Sequence, residues 1–283
     1  MLLMDEGDTL KRPFLRYLGG KFRIASWVVQ FFPEHRKYVD AYGGGGSVLF
    51  EKPRSYEEVY NDLDSDVVNL FRVARDDALK LKKLMEWTLW SRNEFELAYE
   101  LTDDKIELAR RTIVKSFMSF GTGSKTKEQA GFNQGMHSNG IGDAIKWKEY
   151  PSVLLEVQER LMGVVIENRK AMQLIEYHDA VDTLFYLDPP YLPKTRVMGT
   201  RGYTHEMTRQ DHIELLEKIL HVKGMVVISG YESELYDETL IGWDKKIINA
   251  RAAGYRGAVK RKECIWLNPN AQQKLQNNLF YSA

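Results

Sequence analysis

Short apolar runs alternate with helical patterns along most of the chain. Runs rich in β-branched and aromatic residues lie at 38–42, 58–62, 163–167, 183–188, 225–229, 246–248 and 263–267. Strand-sized runs separated by helix-sized segments are typical of βαβ units, whose parallel strands form one sheet. The pattern therefore predicts an α/β fold built on a mainly parallel sheet.

The pattern changes after the second of these runs. Residues 72–110 follow a helical period, and their large apolar residues are spaced for one helix face: Leu79, Leu81, Leu84 and Trp87. Residues 120–147 are then rich in Gly, Ser, Lys and Asn, as in a long polar loop. We therefore predict a core in two parts, with a mostly helical subdomain inserted between them, over residues 12–71, 151–270 and 72–150 respectively.

The composition is that of an ordinary globular protein. The 283 residues include 40 Lys and Arg, 40 Asp and Glu and 43% hydrophobic residues. No apolar run approaches the roughly 18 residues of a membrane helix, and the acidic first residues lack the order of a secretory signal. The single cysteine, Cys264, excludes an internal disulfide and a Cys-rich zinc site. We therefore expect a protein of the reducing cytoplasm.

Charge is unevenly placed along the chain, although the net charge is zero. Residues 54–110 carry 9 basic and 14 acidic side chains, whereas residues 245–262 carry 7 basic and no acidic ones. Phosphates respond to the local potential rather than to the net charge. Nucleic acid therefore remains a candidate partner.

The strongest candidate for chemistry is Asp-Pro-Pro-Tyr at residues 188–191, directly after an apolar run. Ligands of open α/β sheets bind at the carboxyl ends of the strands, and two prolines leave carbonyl groups free as acceptors. Asp188 and the Pro189 carbonyl could accept both hydrogens of an exocyclic amino group, while Tyr191 offers a face to a planar ring. The alternative is an ordinary proline-rich turn that caps a strand.

A second motif, Asp-Ala-Tyr-Gly-Gly-Gly-Gly-Ser at residues 40–47, lies between a predicted strand and a predicted helix. Such a turn brings a ligand against backbone amides. It is not a P-loop, because no Gly-Lys-Ser/Thr follows, and Val48 occupies the third glycine position of the dinucleotide fingerprint. A purely structural tight turn is the alternative.

Asp62 follows the next predicted strand, about twenty residues beyond the glycine turn, where a carboxylate can bind two ribose hydroxyls. The alternative for Asp62 is a structural role as a helix N-cap, or an exposed acidic residue of a loop. Because the three motifs follow separate strands of one predicted sheet, together they predict a single pocket.

In combination these motifs resemble the Dam-type, or D12 class, DNA adenine N6-methyltransferases. Tyr-Leu-Gly-Gly-Lys at 17–21 resembles the N-terminal segment of that family, residues 40–47 its glycine motif, Asn61-Asp62 its ribose acid and residues 188–191 its catalytic tetrapeptide. The resemblance spans about residues 12–268. The stretches 201–208 and 229–231 are most similar to phage-borne or prophage members.

The resemblance implies a Rossmann-like class I methyltransferase fold with an inserted, mostly helical target-recognition subdomain. It implies S-adenosylmethionine as cofactor, double-stranded DNA as substrate and no metal, with the target adenine flipped out of the duplex. The implied catalytic residues are Asp188, Pro189, Pro190 and Tyr191. The implied cofactor residues are Tyr17, Lys21, Asp40, Tyr42, Gly43, Gly45, Asp62, Asn168 and Asp188.

Basic and aromatic residues near these motifs are candidates for DNA contact, with a solvated charge or a core aromatic as the alternative for each. They are Phe120, Lys125, Lys127, Lys194, Arg196, Arg201, Lys260, Arg261 and Lys262. The insert reads Ser-Phe-Met-Ser-Phe-Gly-Thr-Gly-Ser at 116–124, where members that read GATC have Asn-Arg-Tyr-Gly. The target sequence therefore does not carry over, and relaxed specificity stays open.

Other functions predict different residues. Cytosine C5 methylation needs a nucleophilic cysteine, and Cys264 lies within an apolar run. Cytosine N4 methyltransferases typically have Ser where Asp188 stands, and enzymes acting on protein glutamine or RNA typically have Asn. Asp188 thus favours adenine, with an N4-cytosine enzyme or an inactive DNA-binding relative as alternatives. A nicotinamide oxidoreductase is suggested only by the glycine turn.

Overall fold

The computed structural model describes residues 10–120, 131–135, 142–195, 203–254 and 257–281, without the side chains of 250–261 and 278–281. The strands are β1 (Lys37–Asp40), β2 (Glu57–Asn61), β3 (Ser119–Phe120), β4 (Gly131–Phe132), β5 (Val164–Glu167), β6 (Thr183–Leu187), β7 (Met225–Tyr231), β8 (Asp244–Gly254) and β9 (Gly257–Leu267). The helices are α1 (Ala25–Val29), α2 (Ser47–Glu51), α3 (Ser65–Asp76), α4 (Ala78–Trp87), α5 (Arg92–Leu97), α6 (Lys105–Met118), α7 (Asp143–Trp147), α8 (Tyr150–Leu161), α9 (Ala171–His178), α10 (Arg209–Ile219), α11 (Glu234–Thr239) and α12 (Pro269–Tyr281).

The main sheet has the order β5-β2-β1-β6-β7-β9-β8. Strands β5, β2, β1, β6 and β7 are parallel, whereas β9 runs antiparallel to both β7 and β8. The chain first extends the sheet from β1 towards β5 and then returns to place β6 on the other side of β1. Ligands of such sheets bind at this switch point, outside the carboxyl ends of β1 and β6. The predicted α/β fold with a mainly parallel sheet is confirmed.

Successive residues of the central strands supply two separate cores. In β6, Leu184 and Tyr186 lie in one core and Phe185 lies in the other. Helices α3 and α8 contribute to the first core and α9 and α10 to the second. A strand covered on both faces reads as a continuous apolar run rather than an alternating one, which is why the sequence predicts β6 so closely.

The segment between β2 and β5 is mostly helical. Helix α6 packs on α3, and α4 packs on α8, while β3 and β4 form a two-stranded antiparallel pair. Helix α3 continues through residue 72, and α8 begins at Tyr150. Continuous helices therefore cross or adjoin both limits of the predicted insert, whose role in target recognition stays a prediction.

Of the four residues predicted to form an apolar face within 79–87, Leu81 is buried, whereas the prediction is wrong for Leu79, Leu84 and Trp87, which are exposed. Helix α4 buries Ala78, Leu81 and Met85, whereas Leu79 is 70% exposed and Trp87 is 80% exposed. The buried residues follow the i, i+3, i+7 spacing of one helix stripe. Leu79 and Trp87 lie on a different side of the helix from this stripe. Their helical spacing therefore does not place them in the core.

The last two strands are longer than the sequence predicts. Strands β8 and β9 have 11 residues each and pair from Asp244–Leu267 out to Gly254–Gly257. Their outer halves consist largely of Lys, Arg, Ala and Gly, which have low strand preference. Only the inner half of β9 pairs with β7, and the apolar residues that a strand pattern detects lie in the inner halves of β8 and β9.

Candidate active site

A cavity that is open to solvent, with about 390 Å³ of atom-free space, lies at the carboxyl ends of β1 and β6. Most of the predicted cofactor residues line this cavity: Tyr17, Lys21, Asp40, Tyr42, Gly43, Gly45 and Asp188. Further lining residues were not singled out individually from the sequence: Leu18, Gly20, Gly44, Ser47, Val48, Tyr186 and Tyr203.

The glycine turn after β1 is required by packing within the protein. A Cβ on Gly43 would lie 2.1 Å from the Tyr60 ring, and Gly44 has a φ of +50°, which side chains rarely adopt. The Gly43 N–H donates to the Asn61 carbonyl at 2.7 Å. The turn is therefore fixed to β2 from behind, and its other side forms a wall of the cavity.

Asp62 completes this turn from the end of β2. Its Oδ2 accepts from the Gly44 N–H and its Oδ1 from the Asp64 N–H, both at 2.8 Å. Burial raises the pKa of Asp62 to about 6, against these two hydrogen bonds, which lower it. The Asn168 amide donates to the Asp62 carbonyl at 2.8 Å. Asp62 and Asn168 thus adjoin each other behind the turn rather than in the wall of the cavity.

Asp40 is a buried carboxyl group on the wall of the cavity. Its Oδ2 accepts from the Tyr38 hydroxyl at 3.3 Å, while its Oδ1 has no hydrogen-bond partner among the described residues. Burial and, second, the charge of Asp188 raise the pKa of Asp40 to about 8. A buried oxygen without a partner is costly, so this position fits the ammonium group of an amino-acid ligand such as S-adenosylmethionine.

Asp188 is held from two sides at the end of β6. The Lys21 ammonium lies 2.7 Å from both carboxylate oxygens of Asp188 and 2.8 Å from the Gly19 carbonyl. From β7, the buried Ser229 hydroxyl donates to Asp188 Oδ1 at 2.7 Å. Sequence reasoning missed the Ser229 contact. Its only signal was a hydroxyl residue within an apolar run that ends at the same edge of the sheet.

Tyr191 is 5% exposed and is restrained around its ring. Its hydroxyl donates to Glu263 Oε2 at 2.7 Å, and its ring meets the Tyr231 ring edge-on, with centroids 4.6 Å apart. The Lys21 ammonium lies 4.7 Å from the Tyr191 ring centroid. Lys21 therefore lies beside both the ring and the Asp188 carboxylate. Sequence reasoning also missed the Glu263 contact, because Glu263 only appears as a carboxylate between the basic segment and an apolar run.

The candidate DNA residues are partly described. Phe120 is 72% exposed, Lys194 is exposed in a short 3-10 helix that follows residues 188–191, and Lys262 forms a 3.2 Å ion pair with Glu232. The backbone of Lys260 and Arg261 belongs to β9, but their side chains lie outside the described residues, as do the whole of Lys125, Lys127, Arg196 and Arg201.

Three further observations bear on the alternatives. Burial raises the pKa of the Cys264 thiol to about 11, so this cysteine is not an activated nucleophile. Within the described ranges, no three His, Cys, Asp or Glu side chains are grouped as a metal site would require. No helix of the described chain is long and apolar enough to cross a membrane.

The sheet order, the antiparallel β9 beside the last parallel strand and the cavity at the β1–β6 switch point define a Rossmann-like methyltransferase fold. Residues 17–251 match the family model described as D12 class N6 adenine-specific DNA methyltransferase. The chain therefore belongs to this family of adenine-specific DNA methyltransferases, as the motifs indicated.

Similar proteins come from an archaeon, a bacterium and a phage. The type II methyltransferase M.MjaIII of Methanocaldococcus jannaschii is 22% identical, over 90% of this chain and 96% of its own length. The type II methyltransferase M1.LlaDCHI of Lactococcus lactis is 26% identical, over 84% of this chain and 87% of its own. The DNA N-6-adenine-methyltransferase of Escherichia phage P1 is 20% identical, over 77% of this chain and 29% of its own.

Proposed function

We propose that this methyltransferase transfers the methyl group of S-adenosylmethionine to N6 of an adenine flipped out of double-stranded DNA. One observation carries the proposal: Asp40, the last residue of β1, and Asp188, which directly follows the neighbouring β6, line one cavity. Asp40 has a buried oxygen without a hydrogen-bond donor among the described residues. Asp188 lies at the carboxyl edge of the sheet and has two oxygens that can accept hydrogen bonds. One carboxyl group can hold the cofactor and the other the target amino group.

On the cofactor side, Asp40 would hold the ammonium group, and Asp62 with Asn168 would lie towards the ribose at the end of β2. Tyr17, Lys21, Tyr42, Gly43 and Gly45 would form the surrounding wall. When bound, S-adenosylmethionine supplies a sulfonium methyl group.

On the substrate side, Asp188 and the Pro189 carbonyl would accept the two hydrogens of the adenine amino group, with Pro190 fixing the backbone and Tyr191 presenting its ring to the base. The Lys21 ammonium would leave Asp188 as the amino group arrives. As the nitrogen bonds to the methyl carbon, the carbon–sulfur bond of the sulfonium would break and the neutral thioether would leave. The Asp188 carboxylate would stabilise the positive charge on nitrogen until the nitrogen loses a proton. Holding the nitrogen close to the methyl carbon supplies a further part of the rate.

Strands β8 and β9 offer a way to hold DNA. Glu263 pairs with Tyr231, the last residue of β7, so the outer half of β9 continues beyond the carboxyl edge of the sheet together with β8. This basic arm, residues 249–254 and 257–262, projects about 20 Å at strand spacing. A two-stranded ribbon fits the major groove, and Lys or Arg residues there neutralise phosphates. Lys260, Arg261 and Lys262 on the basic arm, with Lys194 beside the catalytic motif, would bind the backbone.

The remaining candidates concern target choice. Phe120, Lys125 and Lys127 belong to the proposed recognition insert over residues 72–150, and Arg196 and Arg201 follow the catalytic motif. We propose that these residues contact DNA around the flipped base. Because DNA is the substrate, the proposed place of action is the cytoplasm of a bacterial or phage-infected cell.

Methylation of plasmid DNA tests the proposal. Purified protein is incubated with S-adenosylmethionine and plasmid that lacks methylated adenine, and the product is read base by base. We expect N6-methyladenine, either in one short motif or, for a relaxed enzyme, in most contexts. Asp188→Ala should abolish it while cofactor binding, measured by calorimetry, persists.

Two results would contradict the proposal. Methylated cytosine without methylated adenine would favour the N4-cytosine alternative. Absence of any methylation, with wild-type protein folded and binding S-adenosylmethionine, would favour the inactive DNA-binding relative.

A further inference from the structure

Glu263 connects the catalytic motif to a distant part of the chain. It lies on β9, at the base of the basic arm, and its Oε2 accepts the Tyr191 hydroxyl at 2.7 Å across 72 residues of sequence. We propose that Glu263 is a positioning residue, which fixes the Tyr191 ring so that it receives the flipped base beside Asp188. The inference rests on the proposed function.

The restraints on the Tyr191 ring come from one pair of strands. Tyr231 on β7 and Glu263 on β9 are directly paired in the sheet. Tyr231 contacts the ring edge-on, while Glu263 holds the hydroxyl at the far end of the ring. Contact at the ring and at its hydroxyl limits rotation about both side-chain torsions, so this strand pair determines the plane of the ring.

The direction of that plane matters because of what lies beside it. The Lys21 ammonium is 4.7 Å from the ring centroid and 2.7 Å from Asp188 Oδ1 and Oδ2. The space that Lys21 fills therefore adjoins an aromatic ring and a carboxylate acceptor at once. A planar base with an exocyclic amino group needs both neighbours: a ring to stack on and an acceptor for its amino hydrogens. A tilt of the ring would separate the stacking surface from the acceptor.

A carboxylate is well suited to this task. A hydrogen bond to an ionised acceptor is shorter and stronger than one between neutral groups, and it opposes ring movement when a base enters. Misplacement of a reacting group by about 1 Å can lower a rate a hundredfold. Loss of the Glu263 contact should therefore affect the methyl-transfer step more than cofactor binding, since Glu263 is not among the residues lining the cavity.

A double-mutant cycle tests this role. Single-turnover methyl transfer is measured at saturating DNA and cofactor for Glu263→Ala, Tyr191→Phe and the double variant, with Glu263→Gln as the conservative change. Both single variants should lose roughly tenfold in rate, the double variant should be no slower than either, and Gln, which keeps an acceptor without the charge, should restore part of the rate. Glu238→Ala, an exposed carboxylate on α11, serves as the control and should match wild type.

A second readout separates positioning from folding. The dissociation constant of S-adenosylmethionine and the melting temperature of Glu263→Ala should stay close to the wild-type values. With 2-aminopurine at the methylated adenine position, the fluorescence of the enzyme–DNA complex should differ between wild type and Glu263→Ala, because stacking on an aromatic ring quenches this base.

Three results would overturn the proposal. These are a wild-type rate in Glu263→Ala, multiplicative losses in the double variant, and a rate loss matched by weaker cofactor binding and lower melting temperature. The proposed function fails separately, if wild-type protein makes no N6-methyladenine at all.

Discussion

Two carboxyl groups that line one cavity have different neighbours. Asp188 is paired with the Lys21 ammonium, whereas Asp40 has no cation beside it in the described structure and its pKa is raised to about 8. Like charges close together disfavour double ionisation. Burial adds to this effect at Asp40, which therefore keeps its proton at neutral pH in the ligand-free site.

The raised pKa of Asp40 predicts a pH dependence of stability. Between about pH 4 and pH 8 the folded protein keeps a proton on Asp40 that the unfolded chain releases, so this group lowers stability as pH rises through that window. Relative to Asp40→Asn, the ligand-free wild type should lose at most about 1.4 kcal/mol per pH unit. Urea unfolding of both proteins from pH 5.5 to 8.5 measures the difference.

Asp211→Asn is a suitable control for this experiment. Hydrogen bonds from Thr208 lower the pKa of Asp211, so its carboxyl group is ionised in both states above about pH 6, and the gap between variant and wild type should be constant there. A constant gap for Asp40→Asn as well would contradict the assignment of a proton to Asp40.

Asp62 holds the glycine turn and is proposed to bind the ribose, and one substitution cannot separate these two roles. Asp62→Ala should raise the dissociation constant of S-adenosylmethionine about ten- to a hundredfold, as expected for lost hydrogen bonds to a charged acceptor. Since Asp62 also holds the Gly44 N–H, an analogue without ribose hydroxyls is needed. Calorimetry should show that wild type prefers the natural cofactor and that Asp62→Ala loses this preference. If both proteins prefer the natural cofactor to the analogue equally, Asp62 only stabilises the glycine turn and does not bind the ribose.

Single residues could be predicted from the sequence when they directly follow a recognisable strand. Asp40 is the last residue of β1, Asp62 and Asp188 directly follow β2 and β6, and the fold brings these strand ends to one edge. Ser229 and Glu263 could not be predicted, because they reach Asp188 and Tyr191 through strand pairing across 41 and 72 residues. That pairing depends on sheet order, which no local pattern contains.

Among the elements, those buried on two faces were predicted well and those that project from the core were not. Strand β6 has a continuous apolar sequence, and its observed limits differ from the predicted ones by one residue. The outer half of β9 is stabilised by hydrogen bonds to β8 alone, so its residues need not be apolar. Element limits are therefore most predictable where burial selects the side chains.

The basic arm gives a prediction at the scale of an element. Replacing Lys260, Arg261 and Lys262 together with Gln should weaken DNA binding and reduce the slope of log K against log salt by about 2–3, since each phosphate contact contributes roughly 0.9. The methyl-transfer rate at saturating DNA should change little. Fluorescence anisotropy with a DNA duplex between 50 and 200 mM salt measures the slope.

The control removes the same number of charges at the opposite edge of the sheet. Arg36 and Lys37 lie at the start of β1, and Lys223 lies before β7. Their joint replacement by Gln should leave the slope within a few tenths of the wild-type value. Equal reductions in both triple variants would mean that net charge, rather than the basic arm, governs DNA affinity.

Across the whole molecule, the sheet separates groups that support the fold from groups that form the site. At the amino-terminal end of β2, the buried Glu58 carboxylate accepts two hydrogen bonds from Arg160, at 2.6 and 2.9 Å, and pairs with the buried Lys52 ammonium. Arg160 also donates to the Leu49 carbonyl. This buried ion network joins β2 to α2 and α8. Asp62 lies four residues along from Glu58, about 13 Å away at strand spacing.

The separation predicts that stability and catalysis respond to different substitutions. Glu58→Ala leaves Lys52 and Arg160 buried without their counter-ion, which should cost about 3–5 kcal/mol of unfolding free energy. Glu57→Ala removes a neighbouring carboxylate whose side chain is 43% exposed, and it should change stability by less than about 1 kcal/mol. Urea unfolding measures both.

At a temperature where Glu58→Ala is still folded, its single-turnover methyl transfer should equal that of wild type, because the network lies at the other end of the strand from the cavity. A slower transfer step in fully folded Glu58→Ala would mean that the two ends of the sheet are coupled.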